Sequence, residues 1–314
     1  MTLISVVVPC FNEEKVLPHF FSAITEVAGK MTAVDFELLF IDDGSTDGTL
    51  SLLRSFAQKD RRVRYYSFSR NFGKEAAMFA GLEKAAGEYV AVMDADLQDP
   101  PSLIPEMYDA VQSGEYDCVA TRRKDRKGES LIRSASARLF YKMINRVSNL
   151  KLVEGARDFR LMSRQMADAV LSMKEYNRFS KGIFEWVGFR TKWIEFENVA
   201  RKEGETKWSF WKLFLYSLDG LAAFSTAPLA IASFVGIILF IISVIMIIVI
   251  IVKTLIWGDP VAGWPALACI VFFVGGIQLL CTGIAGQYIA KSYIEIKGRP
   301  IYIVKETNAH DIKP

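Results

Sequence analysis

Through its first hundred residues the chain alternates short apolar runs with polar, turn-forming clusters. Leu3–Val8 leads into Pro9-Cys10-Phe11-Asn12-Glu13-Glu14, and Phe36–Ile41 into Asp42-Asp43-Gly44-Ser45. Val63–Phe68 leads into Ser69-Arg70-Asn71-Phe72-Gly73-Lys74, and Tyr89–Met93 into Asp94-Ala95-Asp96. Stretches of helical period lie around 15–29, 48–58, 74–86 and 102–113. Strands alternating with helices predict βαβ units and a mostly parallel sheet. The runs are apolar at successive positions, as expected when helices cover both faces of the sheet. Ligands on such sheets bind beyond the carboxyl ends of the strands, where all four polar clusters fall. The β-branched start, with no basic residue before Pro9, reads as a buried first strand and not a signal peptide.

The last third follows a different pattern. No charged side chain interrupts Gly220–Val252 or Val261–Ala290, and each run exceeds the roughly 20 apolar residues that a helix needs to cross a bilayer. We therefore expect a two-helix transmembrane hairpin over 227–290. Arg201, Lys202, Lys207 and Lys212 precede it, and Lys291, Lys297, Arg299 and Lys305 follow it. The loop between carries only Lys253 and Asp259. An excess of Lys and Arg on the outer flanks predicts that both termini, and with them the soluble part, are cytoplasmic. Trp257, Trp264 and Tyr288 are spaced like interfacial anchors, and Pro265 suits the first turn of the second span. Gly236, Gly275, Gly276, Gly283 and Gly286 would let the pair pack against copies of itself as a homo-oligomer.

Two further segments read as helices lying on a lipid surface. Residues 131–150 carry Arg133, Arg138, Lys142 and Arg146 and no acid, with Ile132, Leu139, Met143 and Val147 as an apolar row. An ordinary amphipathic helix packed on the core would give the same pattern. Residues 208–226 begin with Trp208 and Trp211 on one face and run into the first span. The expected organisation is a soluble domain over 1–207, a juxtamembrane helix over 208–226, the hairpin over 227–290 and a cytoplasmic tail over 291–314. The four cysteines share no CxxC spacing, which points to neither a disulfide framework nor a zinc site. The net charge of +3 is modest, and no nucleic-acid partner is expected.

Asp94-Ala95-Asp96 carries the most chemistry. Two carboxylates two apart at a strand end can direct oxygens at one hard cation, Mg²⁺ or Mn²⁺, whose remaining sites take water and phosphate oxygens. Asp42-Asp43-Gly44-Ser45 repeats the pattern at an earlier strand end, where the acids could accept hydrogen bonds from a base or ribose. Capping of the following helix by Asp43, Ser45 or Asp47 is the plainer alternative. Neither GxGxxG nor GxxxxGK[ST] occurs, so a dinucleotide oxidoreductase and a P-loop NTPase are not supported.

Taken in order, Val7-Val8-Pro9-Cys10-Phe11-Asn12-Glu13-Glu14, Asp42-Asp43-Gly44-Ser45-Thr46-Asp47, Asn71-Phe72-Gly73-Lys74, Asp94-Ala95-Asp96-Leu97-Gln98-Asp99-Pro100-Pro101 and Arg157-Asp158-Phe159-Arg160-Leu161 resemble glycosyltransferase family 2. Within it they are similar to the polyprenyl-phosphate glycosyltransferases, such as bactoprenol glucosyltransferases and dolichyl-phosphate mannose synthases. The resemblance implies an α/β GT-A nucleotide-sugar-binding domain. It also implies metal-dependent inverting transfer of one sugar from a UDP-sugar, UDP-glucose first, to undecaprenyl phosphate at the bacterial cytoplasmic membrane.

Carried over residue by residue, Pro9, Phe11, Asn12, Glu14, Asp42 and Asp43 would hold the uridine, and Lys74 would join the nucleotide-sugar site. Asp94 would lie near the ribose and diphosphate and, with Asp96 and Gln98, serve the metal. Asp158 would match the catalytic base. Arg122 and Arg133 match the acceptor-phosphate positions only approximately, and Lys207 would lie in a closing loop. Arg160 and Arg201 join these as candidates for offsetting the charge of two anionic reactants. N-acetylglucosamine, galactose and mannose stay open as the sugar. So do another lipid or a protein as acceptor, and a non-catalytic nucleotide-sugar-binding partner as the role.

Overall fold

The computed structural model describes residues 1–123, 153–196, 227–257 and 263–309. It divides into two compact units, one of Met1–Arg146, Leu150–Gly220 and Pro300–Pro314, the other of Val147–Asn149 and Leu221–Arg299.

In the first unit the apolar runs form strands β1 (Thr2–Cys10), β2 (Val34–Asp42), β3 (Val63–Phe68) and β4 (Tyr89–Val92). The periodic stretches form α1 (Leu17–Lys30), α2 (Thr49–Lys59), α3 (Lys74–Lys84) and, after one 3-10 turn at Pro101–Leu103, α4 (Ile104–Gln112). β5 (Cys118–Arg123), β6 (Ala156–Ser163), α5 (Arg164–Ser172), α6 (Ser180–Trp186), β7 (Thr191–Phe196) and β8 (Val304–Thr307) complete this unit among the described residues.

One eight-stranded sheet runs β7-β5-β6-β4-β1-β2-β3-β8. The centre, β4-β1-β2-β3, is parallel as the pattern predicts. The sheet as a whole is mixed, because β6 runs antiparallel to both β4 and β5, and β8 antiparallel to β3. This reversal matters for the site. It brings the start of β6 to the edge where β4 and β5 end.

Alternation along β1 shows how the layers form. Ile4, Val6 and Val8 join a core with Leu17, Phe20 and Ile24 of α1, Leu53 and Phe56 of α2, and Ile104 and Met107 of α4. Phe20 meets Phe40 edge to face with ring centroids 6.1 Å apart. Val7 points the other way, onto α3. There a Cβ on Gly81 would come within 2.0 Å of Val7 Cγ1, so only glycine lets helix and sheet approach this closely.

The expected tail over 291–314 is partly something else. The last helix continues past 290, and the residues beyond it supply the edge strand β8. Arg54 and Glu306 pair through two contacts, Nε to Oε1 at 2.7 Å and Nη2 to Oε2 at 2.6 Å. Tyr302 stacks on Phe68 at 5.0 Å and donates its hydroxyl to Glu83. Asn308 Oδ1 accepts from the Tyr65 amide, and its Nδ2 donates to the Val63 carbonyl. A sequence reading misses this because a four-residue strand with Lys305 and Glu306 in it carries little apolar signal. Ending the chain at Arg299 is expected to lower the melting temperature by roughly 5 °C or more, at ~2–4 °C per kcal/mol. Thermal unfolding of detergent-solubilised protein would measure this; an unchanged midpoint would mean the strand contributes nothing.

The second unit contains α7 (Ala227–Trp257) and α8 (Trp264–Ile296). Pro265 sits at the start of α8, as expected. Among the described residues, Phe273–Ile296 is a helical segment long and apolar enough to cross a membrane. The helices expected over 131–150 and 208–226 lie outside the described residues.

Candidate active site

The four parallel strands deliver their loops to one edge, and buried carboxylates tie those loops together. Asp42 is sealed at the end of β2, where Oδ1 accepts the Ser45 amide at 3.0 Å and Oδ2 the Ser67 hydroxyl at 2.7 Å. Asp43, equally buried, accepts the amides of Phe72 at 2.6 Å and Gly73 at 2.9 Å. It thereby fixes the turn that starts α3 at Lys74. Gly44 is required here: its φ is +69°, and a Cβ would lie 2.5 Å from the Arg70 carbonyl carbon. The cap position of α2 is Gly48, which no side chain caps; Asp47 Oδ1 accepts the Thr49 amide at 3.0 Å just before the helix.

The loop after β1 is knitted to the same turn. Asn12 has a φ of +55°, its amide donates to Ser45 Oγ at 2.9 Å, and its Oδ1 accepts the Thr46 amide at 2.8 Å. Glu14 Oε2 accepts the Gly48 amide at 3.0 Å. Asn12, Glu14, Asp42 and Asp43 therefore build the walls of this edge through their own hydrogen bonds. Pro9 and Phe11 lie on the same segment, at the end of β1 and just beyond it.

Lys74 draws the two chemically suggestive motifs together. Its Nζ lies 2.7 Å from Asp94 Oδ1 and 2.5 Å from Asp158 Oδ2. Asp94 lies two residues beyond β4 and Asp158 near the start of β6; only the antiparallel pairing of those strands, with Val92 opposite Arg160, makes them neighbours. Burial alone would raise the Asp158 carboxyl. The Lys74 ammonium, with Lys181 and Arg160 behind it, outweighs burial and holds Asp158 well below the usual carboxylate range.

The acidic loop is locked from below. Asp99 is 1% exposed, and its Oδ1 accepts Arg157 Nε at 2.9 Å. Gln98 Oε1 accepts from Arg157 Nη2 and Arg123 Nη2, each at 3.1 Å. Two guanidinium groups thus occupy the lone pairs a metal would use, so Gln98 is not presented as a ligand. Asp94 and Asp96 remain as carboxylates two apart, and Asp96 Oδ1 accepts the Gln98 amide at 3.1 Å. Among the described residues no three His, Cys, Asp or Glu side chains converge on one point. A pair of carboxylates fits a hard cation that completes its shell with water and phosphate oxygens.

Arg160 departs from its expected role. It is 1% exposed, its guanidinium lies 3.6 Å over the Phe184 ring, and Nη2 donates to the Arg157 carbonyl. A cation sealed this way braces α6 against the sheet and does not meet an acceptor phosphate. Arg122 does reach the edge at the end of β5, where it pairs with Glu195 at 2.5 Å. Arg133, Arg201 and Lys207 lie outside the described residues. Arg157, Arg123 and Lys181 were not predicted as site residues. Lone basic residues carry no pattern until the sheet order sets them beside the carboxylates.

The state of Asp43 bears on the donor edge. Burial raises its carboxyl to about 6, against the amides of Phe72 and Gly73 that favour the ion; Asp42 adds to the rise and Arg70 opposes it. Because the carboxyl is raised above its value in water, the ordered turn favours the neutral acid, and ionisation through about pH 6 costs stability. The melting temperature is therefore expected to fall as pH rises through about 6. Asp43→Asn should flatten the dependence. Thermal unfolding of both proteins between about pH 5 and about pH 8 would test this; equal slopes in both would refute it.

This edge, with acids at the ends of parallel strands and a reversed strand returning a further acid, is that of a GT-A glycosyltransferase. The profile of glycosyl transferase family 2 matches residues 5–171, and the chain belongs to that family. It is 45% identical over 306 residues to the putative glycosyltransferase CsbB of Bacillus subtilis, covering 98% of this chain and 92% of the relative. It is 41% identical over 305 residues to the SfII prophage-derived bactoprenol glucosyl transferase of Shigella flexneri, covering 97% and 98%. Glucosyl-3-phosphoglycerate synthase from Mycobacterium tuberculosis, solved with Mn²⁺ and UDP-glucose, superposes with a TM-score of 0.47 at 20% identity, covering 70% of this chain and 77% of that one.

Proposed function

We propose that this protein transfers one sugar, glucose first, from a UDP-sugar to undecaprenyl phosphate at the cytoplasmic face of a bacterial membrane, with inversion. The observation that carries the reading is the Lys74 bridge, which sets Asp94 of the acid pair and Asp158, the base that the resemblance implies, about one ammonium apart. Full-length similarity to proteins named bactoprenol glucosyl transferases supports the acceptor.

A polyprenyl phosphate oxygen attacks the anomeric carbon as the bond from that carbon to the diphosphate breaks, and UDP leaves with the electron pair. The second pKa of a phosphate monoester is near 6, so the nucleophile is largely dianionic at pH 7 and no proton need be removed. Asp158, held ionised by Lys74, acts as a positioning group for the cations around it and not as a proton acceptor. Lys74 and Asp94 orient the diphosphate end of the donor, and Asp42 and Asp43 hold the loops that frame its nucleoside. Asp94 and Asp96 would hold Mg²⁺ or Mn²⁺, which when bound supplies charge neutralisation for the departing diphosphate.

Chain order supports a two-pass anchor. β7 and β8 belong to one sheet, so residues up to 196 and from 304 to 307 share one folded unit that stays on one side of a bilayer. A chain that leaves and returns to the same side crosses an even number of times, and α7 with α8 would supply two crossings. The uncharged run Gly220–Val252 supports α7 as the partner of the apolar α8.

Incubating membranes with undecaprenyl phosphate and radiolabelled UDP-glucose, UDP-N-acetylglucosamine, UDP-galactose or GDP-mannose tests the reading. One sugar should enter a lipid labile to mild acid. Label found only in glycerolipid or protein would overturn the acceptor.

A further inference from the structure

Lys181 stands at this edge, in the first turn of α6, and belongs to none of the motifs that define the family resemblance. Its Nζ donates to the Ala156 carbonyl at 3.0 Å. Ala156 pairs in register with Arg122 on β5 and lies two residues before Asp158. Lys181 is also near enough to Asp158 to bear on its charge. The segment around it is firmly seated. The Ser180 amide donates to Glu75 Oε2 at 3.0 Å, and the Ser180 hydroxyl donates to the same oxygen. Arg178 lies 4.5 Å over the Phe79 ring of α3. Glu75 follows Lys74 in α3, so one helix start carries Lys74 and also anchors the segment bearing Lys181.

The contacts give the edge an order. Lys74 joins Asp94 to Asp158, and Lys181 approaches Asp158 without pairing with the carboxylates near the donor. Among the described residues, no carboxylate lies in ion-pair contact with Lys181. A half-buried ammonium whose described partner is one neutral carbonyl keeps two N–H donors for an anion. Arg122, at the same end of the sheet, spends its charge on Glu195.

We propose that Lys181 binds the acceptor's phosphate monoester, its ammonium held in place by the Ala156 carbonyl. The proposal rests on the transfer reaction above and names a ligand for its second substrate. Asp158 then needs no proton transfer: it pairs with Lys74 and keeps it beside Asp94, while Lys181 is left for the acceptor.

Steady-state transfer by full-length protein in micelles, with undecaprenyl phosphate and the UDP-sugar varied separately, tests this. Lys181→Gln is expected to raise the KM for undecaprenyl phosphate about tenfold or more, the loss of a charge-assisted hydrogen bond. The KM for the UDP-sugar should stay within about twofold, and Lys181→Arg should restore most of the acceptor affinity because it keeps the charge. A purely structural lysine would move both constants together, and that result would overturn the proposal.

Wild-type protein provides a check should the glutamine variant fail to fold. Undecaprenyl phosphate should slow acetylation of Lys181 by an amine-reactive reagent, while the UDP-sugar alone should not; equal labelling in both cases would overturn the assignment. Wild-type protein that transfers no sugar to undecaprenyl phosphate would remove the reaction and this proposal with it. Normal wild-type transfer with an unchanged acceptor KM in Lys181→Gln would remove Lys181 alone.

Discussion

Asp158→Asn is expected to cut turnover by about 10²–10⁴-fold while leaving UDP-sugar affinity within about twofold. The asparagine keeps the shape but loses the charge that Lys74 meets at 2.5 Å. Lys74 then loses one of its two carboxylate partners, and misplacement of about 1 Å at a reacting centre costs roughly 10²-fold. The pH profile separates positioning from proton abstraction. Lys74 holds the Asp158 carboxyl well below its usual range against burial, so Asp158 stays ionised throughout the working range. With saturating donor, the fall in kcat on the acid side should come from the acceptor phosphate, at about pH 6. That limb should persist unchanged in Asp158→Asn, at a lower plateau. Turnover near the wild-type level, or a limb that disappears with the carboxylate, would show that Asp158 has been misread.

Asp96→Ala should leave transfer nearly absent, down about 10³-fold or more, and chelation of wild-type protein should do the same. The reason lies in charge. Departure of UDP concentrates negative charge on the diphosphate, and Asp94 and Asp96 alone would raise that cost unless a divalent ion lay between. Both side chains offer only oxygen, which suits Mg²⁺ or Mn²⁺ and not a softer ion. Activity should return on adding either ion after EDTA to wild-type protein and not to Asp96→Ala. Transfer that is indifferent to EDTA would end the metal assignment. Replacing Gln98 by alanine should be milder, since its oxygen is already held by Arg123 and Arg157.

Much of the frame could be read without coordinates. Each apolar run became a strand, and each polar cluster fell at a strand end, because a buried parallel strand must be apolar along its length and its loop must face water. The Asp94-Ala95-Asp96 and Asp42-Asp43 pairs were visible for the same reason: acids abruptly ending an apolar run stand out. The apolar length of α8 was equally plain: Phe273–Ile296 is long and apolar enough to cross a membrane.

Partnership could not be read this way. That Asp158 meets Asp94 depends on β6 inserting antiparallel beside β4, a choice made by long-range pairing and not by residues near Asp158. The same insertion buries Arg160 over Phe184 while leaving Lys181 at the edge, although both are single cations in unremarkable sequence. The return of residues 304–307 to the sheet was hidden too, because edge strands are short and polar. Local sequence thus decided which of these segments are strands and which are helices, since burial acts on each residue's own side chain. Which charges stand side by side was decided only when the sheet chose its order, because ion pairing depends on distances that chain separation does not fix.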